Sequence, residues 1–334
     1  MAMVKFLAKR VLYIVIVLFL ISFIIFMIFR TMPIDPVDIF FPMEEQMGMR
    51  PELVEERRQE IIDTMGLDYH PVIQYFYWLS AVLRGDFGIS MESRLPVLTH
   101  IRGPMVNTIV MNLISMFIVF LICIPVGVRS AVRRGKFFDN TALVTSMVGI
   151  SIPPFLLSLI LIVFLAVLLP WNIFPMFGMA SAMPPESGTL AWYLDRLRFM
   201  ALPLTALVLS SMAGLIRYIR SAMIDALNMD CVRTARSKGL AEKTVVYVHA
   251  FRNALIPVIT VMGGWFILLF SGSMAIEMTF QWQGMGQIML NALNNNDVGV
   301  QMAMGVFYSL ITYIVILMLD IIYVFVDPRI RIEG

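Results

Sequence analysis

Residues that commonly perform enzyme chemistry are sparse and badly spaced in this sequence. The three histidines, His70, His100 and His249, lie far apart and do not have the spacing of metal ligands. The two cysteines, Cys123 and Cys231, fall in an apolar segment and a polar loop, so we expect no disulfide framework. The Gly-Lys pair at 135–136 is followed by Phe137 and so is no phosphate-binding loop, and H-E-x-x-H and G-x-S-x-G do not occur. The chain is therefore not expected to be an enzyme or to hydrolyse ATP itself.

One short basic stretch, Asp230–Leu240 or DCVRTARSKGL, stands out instead. Apolar or small residues recur every three to four positions at Leu227, Cys231 (or Val232) and Ala235, which predicts a helix over Asp225–Lys238. Gly239 would end that helix as the residue after its C-cap. A second helical pattern, AEKTVVYVHAFRNALIPV, follows it.

A helix, a glycine and a second helix surrounded by cations are typical of a docking element that fits a groove on a partner protein. Its cations are Arg233, Arg236 and Lys238, with Lys243 just downstream. Positive charges beside a membrane also fix topology and contact anionic lipid head groups. That simpler explanation covers the arginines but not the paired helices.

The elements that must position this stretch are apolar enough to lie in lipid. Of the 334 residues, 59% are hydrophobic and 14% charged, well below the roughly 25% charged residues of soluble domains. Segments of about 20 apolar residues span a bilayer. Six segments qualify, which predicts an all-α membrane protein with spans at Val11–Phe29, Met105–Val128, Ala142–Leu169, Met200–Ile216, Ala254–Ile276 and Gln301–Val326.

The basic residues are distributed unequally between the two sides of these predicted spans. Most of the 25 lysines and arginines fall before the first span, after the second, after the fourth and in the tail, whereas the loop after the fifth has none. Because cytoplasmic loops are enriched in lysine and arginine, both termini are predicted to be cytoplasmic. The predicted organisation is a first segment, 1–30, an extracytoplasmic helical segment, 31–104, a five-helix core, 105–326, with the basic loop at 225–252, and a cytoplasmic tail, 327–334.

The middle spans are interrupted by proline and small residues. Such residues permit close helix packing, and prolines free backbone carbonyls. Helix packing and a substrate path that bends as it opens explain the interruptions equally well. For the path, the candidate residues are Ser151, Pro153, Pro154, Ser271, Ser273 and Glu277.

The basic stretch resembles a loop of the integral-membrane subunits of ATP-binding-cassette importers. That loop has the form E-A-A, three residues, G, nine residues, I-x-L-P. Here Gly239 occupies the glycine position, Arg233-Thr234-Ala235 the E-A-A positions, and His249, Phe251 and Arg252 the I, L and P positions. The version VRTARSKGL…HAFRNALIPVIT is similar to that of the dipeptide and oligopeptide permeases.

The resemblance covers nearly the whole chain. GLDYHPVIQYFYWLSAVLRGDFGIS, SIPPF and AIEMTFQWQGMGQIMLNAL all resemble segments of the same branch. The sequence departs from the branch at Gln283, where proline is usual, and in the polar run NNND at 294–297.

The resemblance implies a type I importer permease in a prokaryotic plasma (inner) membrane. Its partners would be a second homologous permease, two cytoplasmic ATPases that bind ATP and Mg, and an extracytoplasmic solute-binding protein. The substrate would be a di- or oligopeptide; the chain would contact membrane lipid, bind no nucleic acid and hold no cofactor. The implied ATPase-coupling residues are Arg233, Thr234, Ala235, Lys238, Gly239 and Leu240.

Two alternatives stay open at this point. The same machinery could import another small solute, such as a nickel chelate or glutathione. A secondary transporter without an ATPase would instead require ionisable groups near mid-membrane and an inverted repeat, and neither is evident in the sequence.

Overall fold

The computed structural model describes residues 2–31, 37, 41, 47–168 and 173–326. The predicted cytoplasmic tail and the end of the predicted third span at Leu169 lie outside these residues. In chain order the helices are α1 (Ala2–Arg30), α2 (Pro51–Met65), α3 (Pro71–Leu83), α4 (Val97–Val132), α5 (Phe137–Ser151), α6 (Pro154–Leu161), α7 (Leu190–Leu227), α8 (Asp230–Ser237), α9 (Glu242–Thr244), α10 (Phe251–Ser271), α11 (Met274–Phe280), α12 (Met285–Asn294) and α13 (Val298–Val326). Among the described residues no β-sheet forms, which confirms the all-α class.

Four helices, α1, α4, α7 and α13, are long and apolar enough to cross a membrane unaided. Two further spans are bent pairs. α5 and α6, with the π-helical turn Ile162–Val167, meet at 101°, and the helical stretch from Glu242 to Ser271 bends by 52° near Pro257. If each bent pair is one span, the chain has the six spans predicted from its sequence.

The sharp bend in the third span has a local cause. Pro153 lacks a backbone N–H, and a proline forces the residue before it out of the α region. Ile152 accordingly has φ −87° and ψ 117°, and α6 starts again with Pro154 in its first turn. The predicted continuous span from Ala142 is thus two helices.

The chain groups into two compact units. The first runs to Arg102 and includes Asn291–Tyr313. Its centre is Tyr75 of α3, which is fully buried and makes edge-on contacts with Phe23 and Phe26 of α1 at ring distances of 5.0 and 5.7 Å. The Tyr75 hydroxyl also hydrogen bonds to Ser22 at 2.9 Å. The helices expected within the outer segment are therefore present, as α2 and α3.

A buried carboxylate, Asp297, fastens another part of the first unit. It accepts hydrogen bonds from Ser90 Oγ at 2.6 Å and from the backbone N–H of Glu92 at 3.2 Å. The N–H of Val300 also donates to it at 3.2 Å, so Asp297 caps the first turn of α13. The polar run at 294–297 thus ends in a structural cap.

The second unit comprises Gly103–Leu290 and, of the described residues, 314–326. Small residues allow its helices to approach closely, as expected for packing in lipid. A Cβ on Gly127 of α4 would lie 2.7 Å from Cγ2 of Ile219 on α7, and one on Gly149 of α5 would lie 3.1 Å from Cβ of Ala213. These two glycines serve helix packing.

Candidate coupling and transport site

The basic stretch forms a short helix, α8, that ends at Ser237, and Gly239 follows its C-cap residue as the sequence predicts. Gly239 has φ +75°, a left-handed conformation that costs an L-residue with a side chain free energy. Its N–H donates to the carbonyl of Arg236 at 2.9 Å, and that of Leu240 donates to the carbonyl of Ala235 at 3.4 Å. This pair of bonds is a Schellman motif, so the prediction of a capping glycine is confirmed.

The predicted start of this helix was wrong. Helix α7 continues to Leu227, and the chain then turns at Asn228 and at Met229, which is extended at ψ 148°, before α8 begins. The Asn228 side chain donates to the carbonyl of Ile224 at 3.0 Å, which satisfies one of the last carbonyls of α7. The sequence pattern therefore merged the end of a span with a separate helix.

One face of α8 is buried against the chain itself. Val232 is fully buried and Ala235 is 4% exposed, whereas Cys231 lies on the exposed side. Their apolar cluster includes the C-terminal halves of α4 and α7, the π-helical turn Val245–Ala250 and the start of α10. The small side chain of Ala235 thus allows close contact with the protein's own helices. Among the coupling residues that the resemblance implies, Ala235 is thus buried within the chain itself.

The opposite face of α8 carries exposed, mostly cationic groups. Arg236 forms a two-point ion pair with Glu242, at 2.7 and 3.2 Å, that bridges the turn at Gly239. Arg233 lies 3.5 Å from Asp230, and both side chains are largely exposed. Thr234, Lys238 and Leu240 are also exposed. Since exposed pairs contribute little stability, this face remains able to exchange its internal contacts for those of a partner.

An ion pair that the sequence did not reveal connects the C-terminal end of α7 to α5. Asp139 of α5 is 1% exposed and binds Arg220 of α7 through two bonds, at 2.5 and 2.7 Å. It also accepts from Ser130 Oγ and from the N–H of Gly135 at 2.8 Å. Because all its hydrogen bonds are made inside the chain, the loop between α4 and α5 is tied to the helix that leads into α8.

A cavity of about 250 Å³ lies among α4, α6, α7, α10 and the start of α11. Polar groups enter it from three places, Asn112 and Ser115 of α4, Ser210 and Ser211 of α7, and Ser273. Within the described residues the Ser210 hydroxyl is buried without a hydrogen-bond partner. Apolar residues, among them Trp265 and three leucines, line the remainder, and no lining residue carries a charge. The cavity can therefore form hydrogen bonds while presenting no charged side chain.

Only part of the predicted substrate path lines this cavity. Pro154 and Ser273 do, but Ser151, Pro153 and Ser271 are not among its lining residues. The hydroxyl of Ser151 instead donates to the carbonyl of Met147 at 2.9 Å. Asn112 and Ser115 were missed, although two polar residues three positions apart in an apolar helix share one face and could have indicated it.

Glu277, the remaining residue predicted for the path, is fully buried behind the cavity wall. Its Oε1 accepts from Thr108 Oγ1 at 3.1 Å and from the N–H of Ser273 at 3.3 Å, and its Oε2 accepts from the N–H of Gln287 at 3.0 Å. The N–H of Gly286 also hydrogen bonds to the carboxylate. Burial raises the pKa of Glu277 above its usual value, and these four hydrogen bonds oppose that shift. A side chain so enclosed cannot contact a substrate.

Four to six apolar spans, a cavity lined by polar but uncharged residues, and a helix anchored by one face beside the ends of α4 and α7 are the features of a multi-pass membrane transport subunit. The family model "Binding-protein-dependent transport system inner membrane component" matches residues 123–332, and the N-terminal model of the same membrane component matches residues 3–114. The chain belongs to this family of binding-protein-dependent transport permeases.

Several curated relatives are similar over their entire length. The oligopeptide transport system permease protein AppB of Bacillus subtilis is 36% identical over 330 residues, covering 98% of this chain and 100% of that protein. The dipeptide transport system permease protein DppB of Escherichia coli K12 is 33% identical, and the glutathione transport system permease protein GsiC of Salmonella choleraesuis is 31% identical. These two alignments each cover 98% of this chain and 99% of the relative.

Proposed function

We propose that this chain is the permease subunit of an ATP-driven importer of di- or oligopeptides. Family membership makes it the membrane component of a transport system that works with a binding protein. The proposal adds that two cytoplasmic ATPases bind the ATP and Mg, that a second homologous permease completes the path, and that both termini are cytoplasmic.

The observation that carries the proposal is the two-faced arrangement of α8. Val232 and Ala235 anchor it to α7 and α10, while Arg233, Arg236 and Lys238 are presented outwards. A partner seated on the cationic face can therefore move the ends of two spans without separating α8 from them. Acidic groups around a cleft on the ATPase would match this face, giving register more than affinity.

The neutral lining of the cavity favours a peptide as the substrate. Peptides share a backbone that donates and accepts hydrogen bonds, whereas their side chains vary in charge and size. Ser115, the Ser210 hydroxyl and the side-chain oxygen of Asn112 offer such bonds without selecting a charge. The NH₂ group of Asn112 already donates to the carbonyls of Leu268 and Leu269. This suits transport of varied peptides after another protein has selected them.

Glutathione import is the second candidate, because one relative carries that function in its name and is 31% identical. Glutathione has two carboxylates, and the cavity presents no cation to either. Other peptides also carry a terminal carboxylate, so the neutral lining does not decide between them, and the preference for di- or oligopeptides rests on the higher identity to the oligopeptide and dipeptide permeases.

The test is uptake into proteoliposomes that contain the complete importer with its own binding protein. We expect a labelled tripeptide to accumulate only with ATP inside and binding protein outside, and excess unlabelled glutathione to leave uptake unchanged. Accumulation driven by an ion gradient without ATP would contradict the importer. Preferential accumulation of glutathione would replace peptide as the substrate.

A further inference from the structure

The buried carboxylate of Glu277, which lies behind the cavity wall, accepts four hydrogen bonds from within the chain. One serine backbone N–H, two further backbone N–H groups and the Thr108 hydroxyl all point at its carboxylate. Thr108 is itself buried, and its Oγ1 accepts a hydrogen bond from the N–H of Met285 at 2.8 Å. The carboxylate thus joins three separate pieces of chain, namely α4, the segment 272–273 and the start of α12.

Three glycines leave room for this carboxylate. A Cβ on Gly284 would lie 2.5 Å from Cδ of Glu277, and one on Gly286 would lie 2.9 Å from Oε2. A Cβ on Gly272 would collide with Oε1. Backbone therefore encloses the carboxylate closely, with no space for a larger group or for a water molecule between them.

The segment 272–276, which precedes Glu277, forms one wall of the cavity. Gly272, Ser273 and Ile276 line it, and they immediately precede Glu277 in the chain. The N–H of Ser273 donates to Oε1, and the carbonyl of Ser273 accepts from the N–H of Glu277 at 2.8 Å. One side of this wall faces the cavity, and the other is bonded to Glu277.

We propose that Glu277 is a positioning residue that fixes the 272–276 wall of the transport cavity by bonding its backbone to α4 and to the 284–287 turn. The residue does not touch the substrate. It acts through Ser273, whose backbone it holds and whose side chain lines the cavity. The inference rests on the proposed function only in treating the cavity as part of the peptide path.

Replacing the carboxylate by its neutral isostere gives a specific test. In Glu277→Gln the side-chain NH₂ must face at least one backbone N–H in either orientation, because backbone N–H groups point at both oxygen positions. Unmatched buried donors disfavour the closed wall by about tenfold in its conformational equilibrium. Glu186→Gln, at an exposed carboxylate, is the matched control.

The readout is the rate at which the thiol introduced by Ser273→Cys reacts with a thiol reagent, measured in the assembled importer that also carries Cys231→Ser. We expect Glu277→Gln to raise this rate about tenfold and to lower peptide uptake, with normal assembly and no change in the Glu186→Gln control. Unchanged thiol reactivity and unchanged uptake in assembled Glu277→Gln would overturn the proposal.

A paired exchange tests the proposal even if Glu277→Gln fails to assemble. Gly284→Ala alone places a methyl group against the carboxylate of Glu277. Glu277→Asp shortens the side chain by one methylene and so withdraws the carboxylate from that methyl group. We expect each single variant to raise the reaction rate of the thiol at position 273 and the double variant to lower it again. A double variant whose thiol reacts as fast as that of either single variant would also overturn the proposal. Thiol reactivity needs no substrate. An importer that takes up no peptide yet shows these reactivity changes would therefore refute the proposed function and leave the positioning role standing.

Discussion

Gly239 allows the proposed coupling role of α8 to be tested at one backbone position. Its φ of +75° is the left-handed conformation, and an added Cβ would meet no atom within 4 Å. The penalty for a side chain here is therefore conformational and not a clash within the chain. For a β-branched residue such as valine we estimate about 1–2 kcal/mol, which reduces the population of the native turn by roughly 5- to 30-fold.

The turn in question determines where the cationic face points. If valine forces the turn to relax, the Schellman bonds to Ala235 and Arg236 are lost, and the ion pair between Arg236 and Glu242 loses its geometry. We therefore expect Gly239→Val to insert normally in the membrane while substrate-stimulated ATP hydrolysis and uptake fall about fivefold or more in the reconstituted importer.

A series at the same position separates backbone strain from bulk at the docking surface. Asparagine is larger than alanine but tolerates positive φ better. Strain predicts activity in the order Asn, Ala, Val, whereas bulk predicts Ala, Asn, Val. Full stimulated hydrolysis and uptake in Gly239→Val would mean that α8 only anchors topology. The second order would refute the argument from φ.

Two further predictions concern packing and orientation. Gly127→Ala should lower the free energy of unfolding of the detergent-purified chain by about 1–3 kcal/mol, because its Cβ would lie 2.8 Å from the branched Cβ of Ile219. Gly214→Ala, whose Cβ would meet open space, should leave this free energy unchanged. Equal stabilities of the two variants would contradict this reasoning. In membranes containing the permease without ATPases, an impermeant thiol reagent should label exposed Cys231 from the cytoplasmic side only, with buried Cys123 unlabelled. Labelling of Cys231 from the outer side would contradict the proposed topology.

The spans and the glycine cap could be predicted from the sequence because both depend on local properties. A bilayer requires about 20 apolar residues, whatever the remainder of the chain does. Likewise, Gly239 follows a short helical pattern and meets a backbone requirement that few other residues satisfy. Such features are complete within one stretch of sequence.

The cavity and the Glu277 cage could not be predicted because their parts are distant in sequence. Thr108 and Gln287 bond the same carboxylate although 179 positions in the numbering separate them. Glu277 appeared accessible because it is charged and follows an apolar span. Its burial depends on three glycines whose collective role is evident only in three dimensions. For the same reason, the sequence did not show which face of α8 is buried.

The structure supplies a physical connection between the two proposed sites. Helix α7 carries Ser210 and Ser211 in the cavity and ends beside α8, and α10 carries Trp265 and begins in the cluster that buries Val232. From Ser211 to the end of α7 at Leu227 is about 24 Å at 1.5 Å per residue. A tilt of about 10° at the α8 end would therefore displace the cavity residues by about 4 Å, comparable with the size of a small side chain.

Because Asp139 and the close contact at Gly127 brace the same end of α7, the tilt must involve α4 and α5 as well. Under the proposed function, ATPase motion is transmitted by a braced group of helices and not by α8 alone.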